Sequence, residues 1–491
     1  MERSSGILMP IFSLPSPYGV GAFGRAAYEF ADFLRAAGQK YWQLLPLGPT
    51  GCGDSPYQSF STYAGNPYFI DLELLAGDGL LETRELEAVD WGGDPRRVDY
   101  GAIYEHRVAM LERAKARGWK RDAAEVRAFA DENADWLPDY ALFMALKRRF
   151  DMEPWSTWPE DIRAHRPEAV GRWRKQLKDD VELFTYIQYL FFKQWRALKS
   201  YVNGLGIRVI GDLPIYVAMD SADVWAEPEM FRLDEHGVPA EVSGVPPDYF
   251  NADGQLWGNP LYDYEAMERD GFGWWIRRVG GAAKLYDVIR IDHFRGFESY
   301  WAVPYGETTA RSGRWVKGPG MKLVGTLTGW FRDLAFIAED LGYATPEVAR
   351  LLADSGMPGM KVLEFAFNPN EPSSYLPHNY GANCICYTGT HDNAPLAEWR
   401  ATAGEAELTY AKKYLGLNDA EGFNFGVIRG GMGSVAKLFV AQMQDYLELG
   451  AGHRMNVPGT LGGNWTWRML AGEAGEALAA RIAGMTKLYG R

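Results

Sequence analysis

Four segments of the sequence share one pattern: an apolar, strand-like run that ends in acidic residues and is followed by a loop and a helical pattern. The runs GIRVIGD, YDVIRID, LAFIAED and ANCICYTGTHD end at Asp212, Asp292, Asp340 and Asp392. Near-continuous apolar runs that alternate with helices indicate parallel strands buried on both faces. The carboxyl ends of such strands lie at one rim, so the pattern predicts an α/β fold, a (β/α)8 TIM barrel with its acids at that rim.

Further strand-like runs bring the number of predicted strands close to eight. They cover residues 5–12, 41–45, 360–367 and 455–460. A doubly wound open sheet is the rival architecture. It would concentrate its ligand at one switch point, whereas the acids recur along most of this chain.

Two long segments interrupt the predicted barrel. Residues 72–180 are charged and have helical patterning, which predicts a helical subdomain between barrel elements. Residues 214–275 are rich in Pro, Gly, Asn and aromatic residues and are expected to form a loop-rich lid. We therefore expect one catalytic barrel over residues 1–491 with these two insertions and without a separate C-terminal β-domain.

The composition excludes several classes of protein. Of 491 residues, 51 are basic and 64 acidic, and the formal net charge of −13 repels nucleic acid and anionic lipid surfaces. Neither a secretion signal nor a run of about eighteen apolar residues is visible, so a soluble, cytoplasmic protein is expected. Cys52, Cys384 and Cys386 are too few for a disulfide framework and lack zinc spacing, so we interpret them as small apolar fillers.

Asp292 is the rim acid with the most specific local pattern. On an extended strand residues i and i+2 point to the same side, so Arg290 is expected to lie beside Asp292 and to keep its carboxylate ionised. Such a carboxylate can act as a nucleophile or stabilise a positive charge. An ordinary ion pair at the end of a strand is the alternative.

Aromatic side chains in loops suggest a ligand with apolar faces. Loops lie at the surface, and a long loop without periodicity of its own is usually functional. A packed surface loop and a structural aromatic cluster are the alternatives. The residues concerned are Ser55 and Tyr57 in loop 48–69, and Tyr249, Phe250 and Trp257 in the lid segment.

Several carboxylates on one rim below aromatic loops have two main chemical uses. A divalent metal site is less favoured, because such sites add His ligands or contiguous acids, and only His293 and His391 flank the rim acids. A calcium loop starting at NADG is rejected, because Tyr262 stands where a bidentate Glu is needed. Glycoside chemistry is favoured. It needs one ionised carboxylate as nucleophile and one protonated carboxyl as general acid, about 5–5.5 Å apart for retention of configuration.

Six separated motifs carry a resemblance to a known family. They are SPYQSFSTYAGNPY, GDLPIYV, RIDHFRG, IAEDLG, YTGTHDN and RMNVPGTLGGNWTWR. In this order they resemble the motifs of the amylomaltases, which are 4-α-glucanotransferases or disproportionating enzymes of the α-amylase superfamily. The resemblance runs from about Gly6 to Arg468, essentially the whole chain.

The resemblance implies catalytic roles for individual residues. Asp292 matches the family's nucleophile, Glu339 its general acid/base, and Asp392 the acid that holds sugar hydroxyls and stabilises the transition state. Adjacent strand residues face opposite ways, so spacing alone leaves the choice between Glu339 and Asp340 open. The resemblance selects Glu339 and leaves Asp340 a structural role. We expect the negative charge of Asp292 to raise the pKa of Glu339 and keep it protonated.

The same resemblance implies the residues that bind the substrate. Arg290 orients the nucleophile, and His391 donates to a sugar hydroxyl. The remaining positions are Asp212 and Tyr216 near the donor sugar, Ser55 and Tyr57 in the loop that shapes the donor side, Asp248, Tyr249 and Phe250 in the loop over the acceptor side, and Trp257 in the aromatic lid.

Taken together, the resemblance implies a 4-α-glucanotransferase that moves α-1,4-glucan segments to the 4-hydroxyl of another glucan or of glucose through a covalent glycosyl-enzyme. Neither a cofactor nor a metal is expected, and α-glucans are the expected partners rather than nucleic acid or membranes. A retaining α-glucan hydrolase is the alternative among enzymes. A non-catalytic glucan-binding protein is the alternative from another class, but it should lack one of the rim acids.

Overall fold

The apolar runs of the sequence form short strands that are mostly buried. The computed structural model describes residues 2–51, 53–247, 251–342 and 345–491. The strands in these ranges are β1 (Ser4–Leu8), β2 (Tyr41–Gln43), β3 (Arg208–Leu213), β4 (Glu241–Val245), β5 (Gln255–Pro260), β6 (Val288–Ile291), β7 (Ser299–Pro304), β8 (Arg314–Lys317), β9 (Ala335–Ala338), β10 (Gly359–Val362), β11 (Cys384–Tyr387) and β12 (Leu438–Gln442).

Eight of the strands in the described ranges form one parallel sheet, in the order β10, β11, β12, β1, β2, β3, β6 and β9. The two outer strands approach each other at a seam. There Ala338 N donates to Pro358 O (3.0 Å), and Met360 N donates to Asp340 Oδ1 (2.7 Å). The sheet is therefore nearly closed, and the predicted (β/α)8 TIM barrel is confirmed.

Helices cover the outside of the barrel, where α1, α9, α12 and α17 pack on the sheet or on one another. In the described ranges they are α1 (Arg25–Ala36), α2 (Leu72–Gly77), α3 (Thr83–Glu87), α4 (Tyr100–Gly118), α5 (Ala123–Glu132), α6 (Leu137–Arg149), α7 (Glu160–Arg163), α8 (Pro167–Gln176), α9 (Lys178–Gly204), α10 (Ala222–Ala226), α11 (Tyr264–Arg269), α12 (Gly273–Leu285), α13 (Met321–Trp330), α14 (Pro346–Ser355), α15 (Leu396–Thr402), α16 (Glu405–Leu415), α17 (Phe423–Gly433), α18 (Met443–Tyr446) and α19 (Glu476–Leu488).

One predicted strand is wrong. Residues 455–460 form no strand, because Pro458 has no N–H to donate and Gly459 has a left-handed backbone with φ of 77°. The eighth barrel strand is β12 instead, which pairs with β1 and β11. This strand ends at Gln442, so, like β1 and β2, it lacks the acidic end of the four runs that carry the rim acids.

The two predicted insertions differ in character. Residues 72–180 contain α2 to α8 together with the start of α9, as the helical patterning predicts. Residues 214–275 hold more regular structure than a loop-rich lid, because β4 and β5 lie within them. β4 pairs antiparallel with β7, and the resulting small sheet has the order β5, β4, β7, β8. The division of the chain into one barrel and two subdomains stays a prediction.

The cysteines of β11 lie in the barrel wall. Cys384 and Cys386 are buried and free, and burial raises the pKa of their thiols to about 11 and about 12. Both thiols are therefore uncharged at neutral pH, which fits their interpretation as apolar fillers. Cys52 lies outside the described residues. In the described ranges, none of the helices combines the length and the apolar character that crossing a bilayer requires.

Candidate active site

Asp292 follows β6 directly, and Arg290 on that strand contacts it. Arg290 Nη1 lies 3.0 Å from Asp292 Oδ1, so the predicted pairing of residues i and i+2 is confirmed. The same nitrogen lies 2.7 Å from each carboxylate oxygen of Asp212, the register partner of Arg290 on β3. One guanidinium thus joins two of the predicted rim acids.

Glu339 follows β9 directly, on the strand next to that of Asp292. The residues that precede the two acids are partners in the register of these parallel strands. Glu339 Oε2 accepts a hydrogen bond from His293 N (2.8 Å), and Oε1 accepts one from Leu341 N (2.7 Å). The Glu339 carboxyl therefore lies against the backbone of the residue that follows Asp292.

His293 connects this carboxyl with the lid segment. Its backbone is left-handed (φ 50°), which is uncommon for a residue other than glycine, and in this conformation its N–H donates to Glu339. Its ring meets Trp257 edge to face, with centroids 4.8 Å apart. Burial lowers the pKa of His293 to about 3, so the ring is neutral at physiological pH.

Burial affects the pKa values of the rim acids more than the charged neighbours that the sequence pointed to. Burial raises the pKa of Asp292 to about 8, although the charge of Arg290 opposes this rise. Arg290 therefore lowers the pKa of Asp292, as expected, but the loss of hydration on burial has the larger effect.

Burial is also the main reason why the pKa of Glu339 is raised, while Arg290 and the two backbone N–H groups lower it. The charge of Asp292, which we expected to be the cause, is not the principal one. Two adjacent carboxyls that are both poorly hydrated hold a proton between them at neutral pH. The pair thus has the composition that acid catalysis by one member and nucleophilic attack by the other require.

Tyr57 brings the N-terminal loop to the rim. Its O–H donates to Asp212 Oδ2 (2.7 Å), and its ring stacks on His391 with centroids 5.1 Å apart. Trp465 lies beside both rings, 5.9 Å from each. His391 Nε2 lies 3.3 Å from Asp392 Oδ2, and burial lowers the pKa of His391. The predicted residues Asp212, Tyr57, His391 and Asp392 therefore form one contact chain along the rim.

Asp392 is held by residues to which the sequence analysis gave no role. Asn456 Nδ2 donates to Asp392 Oδ1 (2.6 Å), and Arg454 donates to the backbone oxygen of Asp392 and, through Nε, to Asn456 O (2.7 Å). Asn456 lies in the segment 455–460 that was wrongly predicted as a strand, and Arg454 directly precedes that segment. The sequence does carry a signal for these two residues: Arg454 and Asn456 are side-chain donors next to Pro458 and Gly459, a combination that is typical of a functional loop.

The other predicted site residues have different surroundings. The buried ring of Tyr216 lies beside Trp257, with centroids 6.3 Å apart. Ser55 Oγ accepts from Tyr57 N (3.3 Å), so Ser55 shapes the loop that presents Tyr57. The predicted acceptor-side residues that lie outside the described ranges are Asp248, Tyr249 and Phe250.

Two further observations bear on the chemistry of the rim. Within the described ranges, no group of three or more His, Cys, Asp or Glu side chains is arranged to hold a metal ion. The cavity of about 480 Å³ between Asp54, Tyr100 and Asn464 has none of the rim acids in its lining. The rim presents paired carboxyls beside aromatic faces, an arrangement that suits displacement at the anomeric carbon of a sugar.

Comparisons with known proteins extend over the whole chain. The family model described as 4-alpha-glucanotransferase matches residues 9–472. The chain belongs to this 4-alpha-glucanotransferase family. It is 47% identical over 485 residues to a 4-alpha-glucanotransferase of Clostridium butyricum, and this match covers 98% of this chain and 100% of that protein. It is 48% identical to the 4-alpha-glucanotransferase of Thermus thermophilus, and this match covers 99% of both chains.

Two solved amylomaltase structures have the same fold. An amylomaltase from Streptococcus agalactiae, solved in complex with acarbose, is 41% identical with a TM-score of 0.97 and 100% coverage of both chains. Amylomaltase from Corynebacterium glutamicum, 20% identical, gives a TM-score of 0.80 and covers 99% of this chain and 75% of that one. The family resemblance carried by the six motifs is confirmed. The chain is thus a retaining 4-alpha-glucanotransferase that acts on α-glucans.

Proposed function

We propose that the chain transfers α-1,4-glucan segments by a double displacement at the barrel rim, with Asp292 as nucleophile and Glu339 as general acid and base. The observation that carries the proposal is the pairing of these two acids. They follow register partners on adjacent strands, and Glu339 accepts a hydrogen bond from the residue after Asp292. Retaining glycosidases need carboxyls about 5–5.5 Å apart, which is close to the spacing of neighbouring strands.

In the first displacement Glu339 gives its proton to the glycosidic oxygen while Asp292 attacks the anomeric carbon. A glycosyl ester of Asp292 forms, and the reducing-end fragment leaves with a free 4-hydroxyl. This step needs the shared proton on Glu339 and the charge on Asp292. Arg290, 3.0 Å from Asp292, and the positive charge that develops on the sugar both favour that arrangement.

In the second displacement Glu339, now a carboxylate, removes the proton from the 4-hydroxyl of an incoming glucan. That oxygen attacks the anomeric carbon and displaces Asp292, so configuration is retained. If water takes the place of the glucan, the product is that of hydrolysis. Transfer rather than hydrolysis therefore depends on contacts made with the acceptor sugar.

Other rim residues have proposed roles in binding the substrate. Asp392 stabilises the oxocarbenium-like transition state and holds sugar hydroxyls, and its link to Asn456 fixes its orientation. Arg290 orients the nucleophile, and Ser55 supports the loop that presents Tyr57. The proposed donor-side contacts are His391, Tyr57, Asp212 and Tyr216. The proposed lid contacts are Trp257, Asp248, Tyr249 and Phe250.

We also propose that the enzyme acts in the cytoplasm. The buried free thiols of Cys384 and Cys386 are compatible with a reducing compartment, where disulfides are rare. The expected partners there are maltooligosaccharides and other α-glucans, with glucose as the smallest acceptor.

Incubation of the pure protein with maltotriose tests transfer against the hydrolase alternative. We expect a ladder of longer oligosaccharides together with released glucose, because a glycosyl-enzyme that is attacked by a 4-hydroxyl yields elongated products. Chromatography of the products over time measures the ratio of transfer to cleavage. Exclusive formation of shorter saccharides would favour the hydrolase.

Substitution of the nucleophile tests its assignment. Asp292→Asn keeps the shape of the side chain but cannot form the ester, so we expect kcat to fall by about 10⁴-fold or more with the fold intact. Circular dichroism and thermal unfolding check the fold. Turnover near the wild-type rate would contradict the role of Asp292.

The choice between Glu339 and its neighbour is tested by a matched pair of variants. Glu339→Gln should lower kcat on maltotriose by about 10³-fold or more, while Asp340→Asn, which keeps an acceptor for Met360 N, should stay within about threefold of wild type. With maltotriosyl fluoride, whose leaving group needs no proton, Glu339→Gln should still form the covalent intermediate. Mass spectrometry then detects glycosylated protein, and a loss of activity in Asp340→Asn instead would reverse the assignment.

A further inference from the structure

His391 and Asp392 lie on one turn between β11 and α15. The turn begins at Thr388, which follows β11 directly, and ends at Leu396, the first residue of α15. We refer to residues 388–396 as the rim turn. Because both proposed sugar contacts lie near its middle, their positions depend on how its two ends are held.

One buried carboxylate contacts both ends of the rim turn. Asp445 Oδ2 accepts from Thr388 Oγ1 (2.5 Å), and Asp445 Oδ1 accepts from Leu396 N (2.7 Å). All three residues are fully buried. The two ends of the rim turn are therefore joined through a single side chain that belongs to another part of the chain.

Asp445 reaches the rim turn from the neighbouring barrel strand. β12 pairs in parallel with β11, and Asp445 lies in α18, the short helix that follows β12. Gln442, the last residue of β12, adds a contact, because its Nε2 donates to Ala394 O (3.4 Å). A β-carbon on Gly389 would lie 3.0 Å from the same nitrogen, so glycine at this position allows the close approach. The end of β12 thus supports the turn that follows β11.

The end of the rim turn at Leu396 needs an acceptor from outside its helix. The first N–H groups of a helix lack partners within the helix, and a side chain just before the helix usually caps them. Pro395 stands at that position before α15 and has no acceptor on its side chain. Asp445 supplies an acceptor instead, and its negative charge is favourable at the positive N-terminal end of the helix.

The protonation state of Asp445 suits this role. Burial raises the pKa of its carboxyl to about 6, while the hydrogen bonds from Leu396 and Thr388 lower it. The carboxyl is therefore ionised at neutral pH, and an ionised carboxylate can accept on both oxygens. Asn424 Nδ2 donates to Asp445 O (3.0 Å), which fixes the backbone from which the carboxylate extends.

Hydrogen bonds within the rim turn connect its backbone to Asp392. Asn393 Oδ1 accepts from Thr390 N (2.9 Å) and from Thr390 Oγ1 (2.9 Å). Thr390 Oγ1 in turn accepts from Asp392 N (3.3 Å). These contacts keep the middle of the turn in one shape, so a displacement of its ends moves Asp392 with them.

We propose that Asp445 is a positioning residue for the transfer reaction, because it holds at both ends the turn that places His391 and Asp392 at the sugar. It acts through the hydrogen bonds from Thr388 and Leu396, and not by touching the substrate or the reacting atoms. The inference rests on the proposed role of Asp392. Because Asp392 acts mainly in the transition state, a displaced turn should lower kcat more than it raises KM.

Two substitutions of Asp445 test its hydrogen bonds. Asp445→Leu has a similar shape but no acceptor, so we expect kcat on maltotriose to fall by about 30-fold or more, with KM changed less than about twofold. Asp445→Asn keeps an oxygen for Leu396 N and can donate its amide to Thr388 Oγ1, so its kcat should stay within about fivefold of wild type. All rates are measured well below the unfolding temperature of each variant. A wild-type kcat for Asp445→Leu would overturn the proposal, as would an equal loss in both variants.

Thr388 provides a milder test that does not require Asp445→Leu to fold. Thr388→Val keeps the shape of the side chain but removes the hydroxyl, which releases one end of the turn, so kcat should fall by about fivefold. Thr388→Ser keeps the hydroxyl and is the matched control, with kcat expected within about twofold of wild type. Equal kcat values for these two variants would show that the contact with Asp445 does not position the turn, and the proposal would be overturned.

A double-mutant cycle distinguishes positioning of Asp392 from a general loss of structure. In the Asp392→Asn background the acid that the turn positions is already disabled, so the further change Asp445→Leu should cost less than about fivefold. Maltotriosyl fluoride serves as donor so that the slow variants remain measurable. An undiminished loss of about 30-fold in that background would overturn the inference alone. Wild-type activity of Asp392→Asn would instead overturn the assignment of Asp392 and with it the basis of the inference.

Discussion

The proton shared by Asp292 and Glu339 determines how activity depends on pH. The raised pKa of Asp292, about 8, means that the pair keeps a proton below this value and loses its last one as the pH rises through it. Without that proton no general acid is left for the glycosidic oxygen. We therefore expect kcat/KM for maltotriose to fall as the pH rises above about 8, by about tenfold for each further unit.

The same profile with a fluoride donor isolates the acid. Fluoride leaves without protonation, so the rate of glycosylation by maltotriosyl fluoride should level off above pH 8 instead of falling, because Asp292 is then fully ionised. Rapid-quench measurement of the first step gives this rate. An alkaline decrease that is equal for both donors would point to loss of the fold or of another group and would contradict the assignment.

Sequence reasoning at the residue scale predicted the contact between Arg290 and Asp292 and the raised pKa of Glu339, but not that burial is the main cause of that rise. Asp212 and Asp292 were predictable because each closes an apolar run and so must emerge at the same rim, whereas the choice of Glu339 over Asp340 came from the family resemblance. The hydration of Asp292 and Glu339 depends on the assembled site, so it could not be predicted from the sequence. The spacing of residues also does not show that Arg290 contacts both Asp212 and Asp292. Asn456 was missed for a related reason, since it reaches Asp392 from a segment 64 residues away along the chain.

At the scale of elements, α12 anchors the start of the lid segment through one buried side chain. Arg278 Nη1 donates to Ile215 O (2.8 Å), Nη2 to Tyr216 O (3.3 Å) and Nε to Thr62 Oγ1 (2.8 Å). Its guanidinium also packs over the ring of Trp275, 4.9 Å from the centroid. One arginine thus joins the donor-side loop, the strand-end loop that contains Tyr216, and the helix.

Removing the Arg278 side chain should weaken both substrate binding and the stability of the fold. In Arg278→Met several buried carbonyls lose a charged donor, so we expect the free energy of unfolding to fall by about 3 kcal/mol and KM for maltotriose to rise by about fivefold. Arg277→Met is the matched control, because this neighbour is exposed and paired only with Glu227 at the surface among the described contacts, and we expect a change below about 1 kcal/mol. Denaturant unfolding and steady-state kinetics measure both effects. Equal behaviour of the two variants would contradict the anchoring role.

The elements themselves were only partly predictable. The end of α1 is readable from the sequence, because Gly38 follows its apolar repeat and adopts the left-handed backbone (φ 73°) that ends helices. β12 was missed: it lacks the acidic end that marks the runs of β3, β6, β9 and β11, and residues 455–460 were predicted as a strand instead. The small sheet was missed because β4 pairs with β7, a strand far along the chain, and such pairing leaves no local signal.

At the scale of the whole molecule, the barrel closes at a seam where the ladder of backbone hydrogen bonds is incomplete. β9 and β10 are the two ends of the hydrogen-bonded strand order, and Asp340 bridges them by accepting from Met360 N (2.7 Å). Asp340 also follows Glu339 directly. The structural role that the sequence left to Asp340 is therefore closure of the barrel beside the proposed general acid.

Opening this seam should disturb barrel and catalysis together. In Asp340→Ala the N–H of Met360 loses its acceptor, so we expect hydrogen exchange in residues 358–362 to speed up by about tenfold or more, while β1 and β2 remain protected. Because the seam positions Glu339, kcat should fall by about tenfold. Asp340→Asn retains an oxygen acceptor and should behave like wild type in both measurements. Unchanged exchange at the seam in Asp340→Ala would mean that the barrel closes without this side chain. A loss of activity without faster exchange would mean that Asp340 acts on the substrate instead.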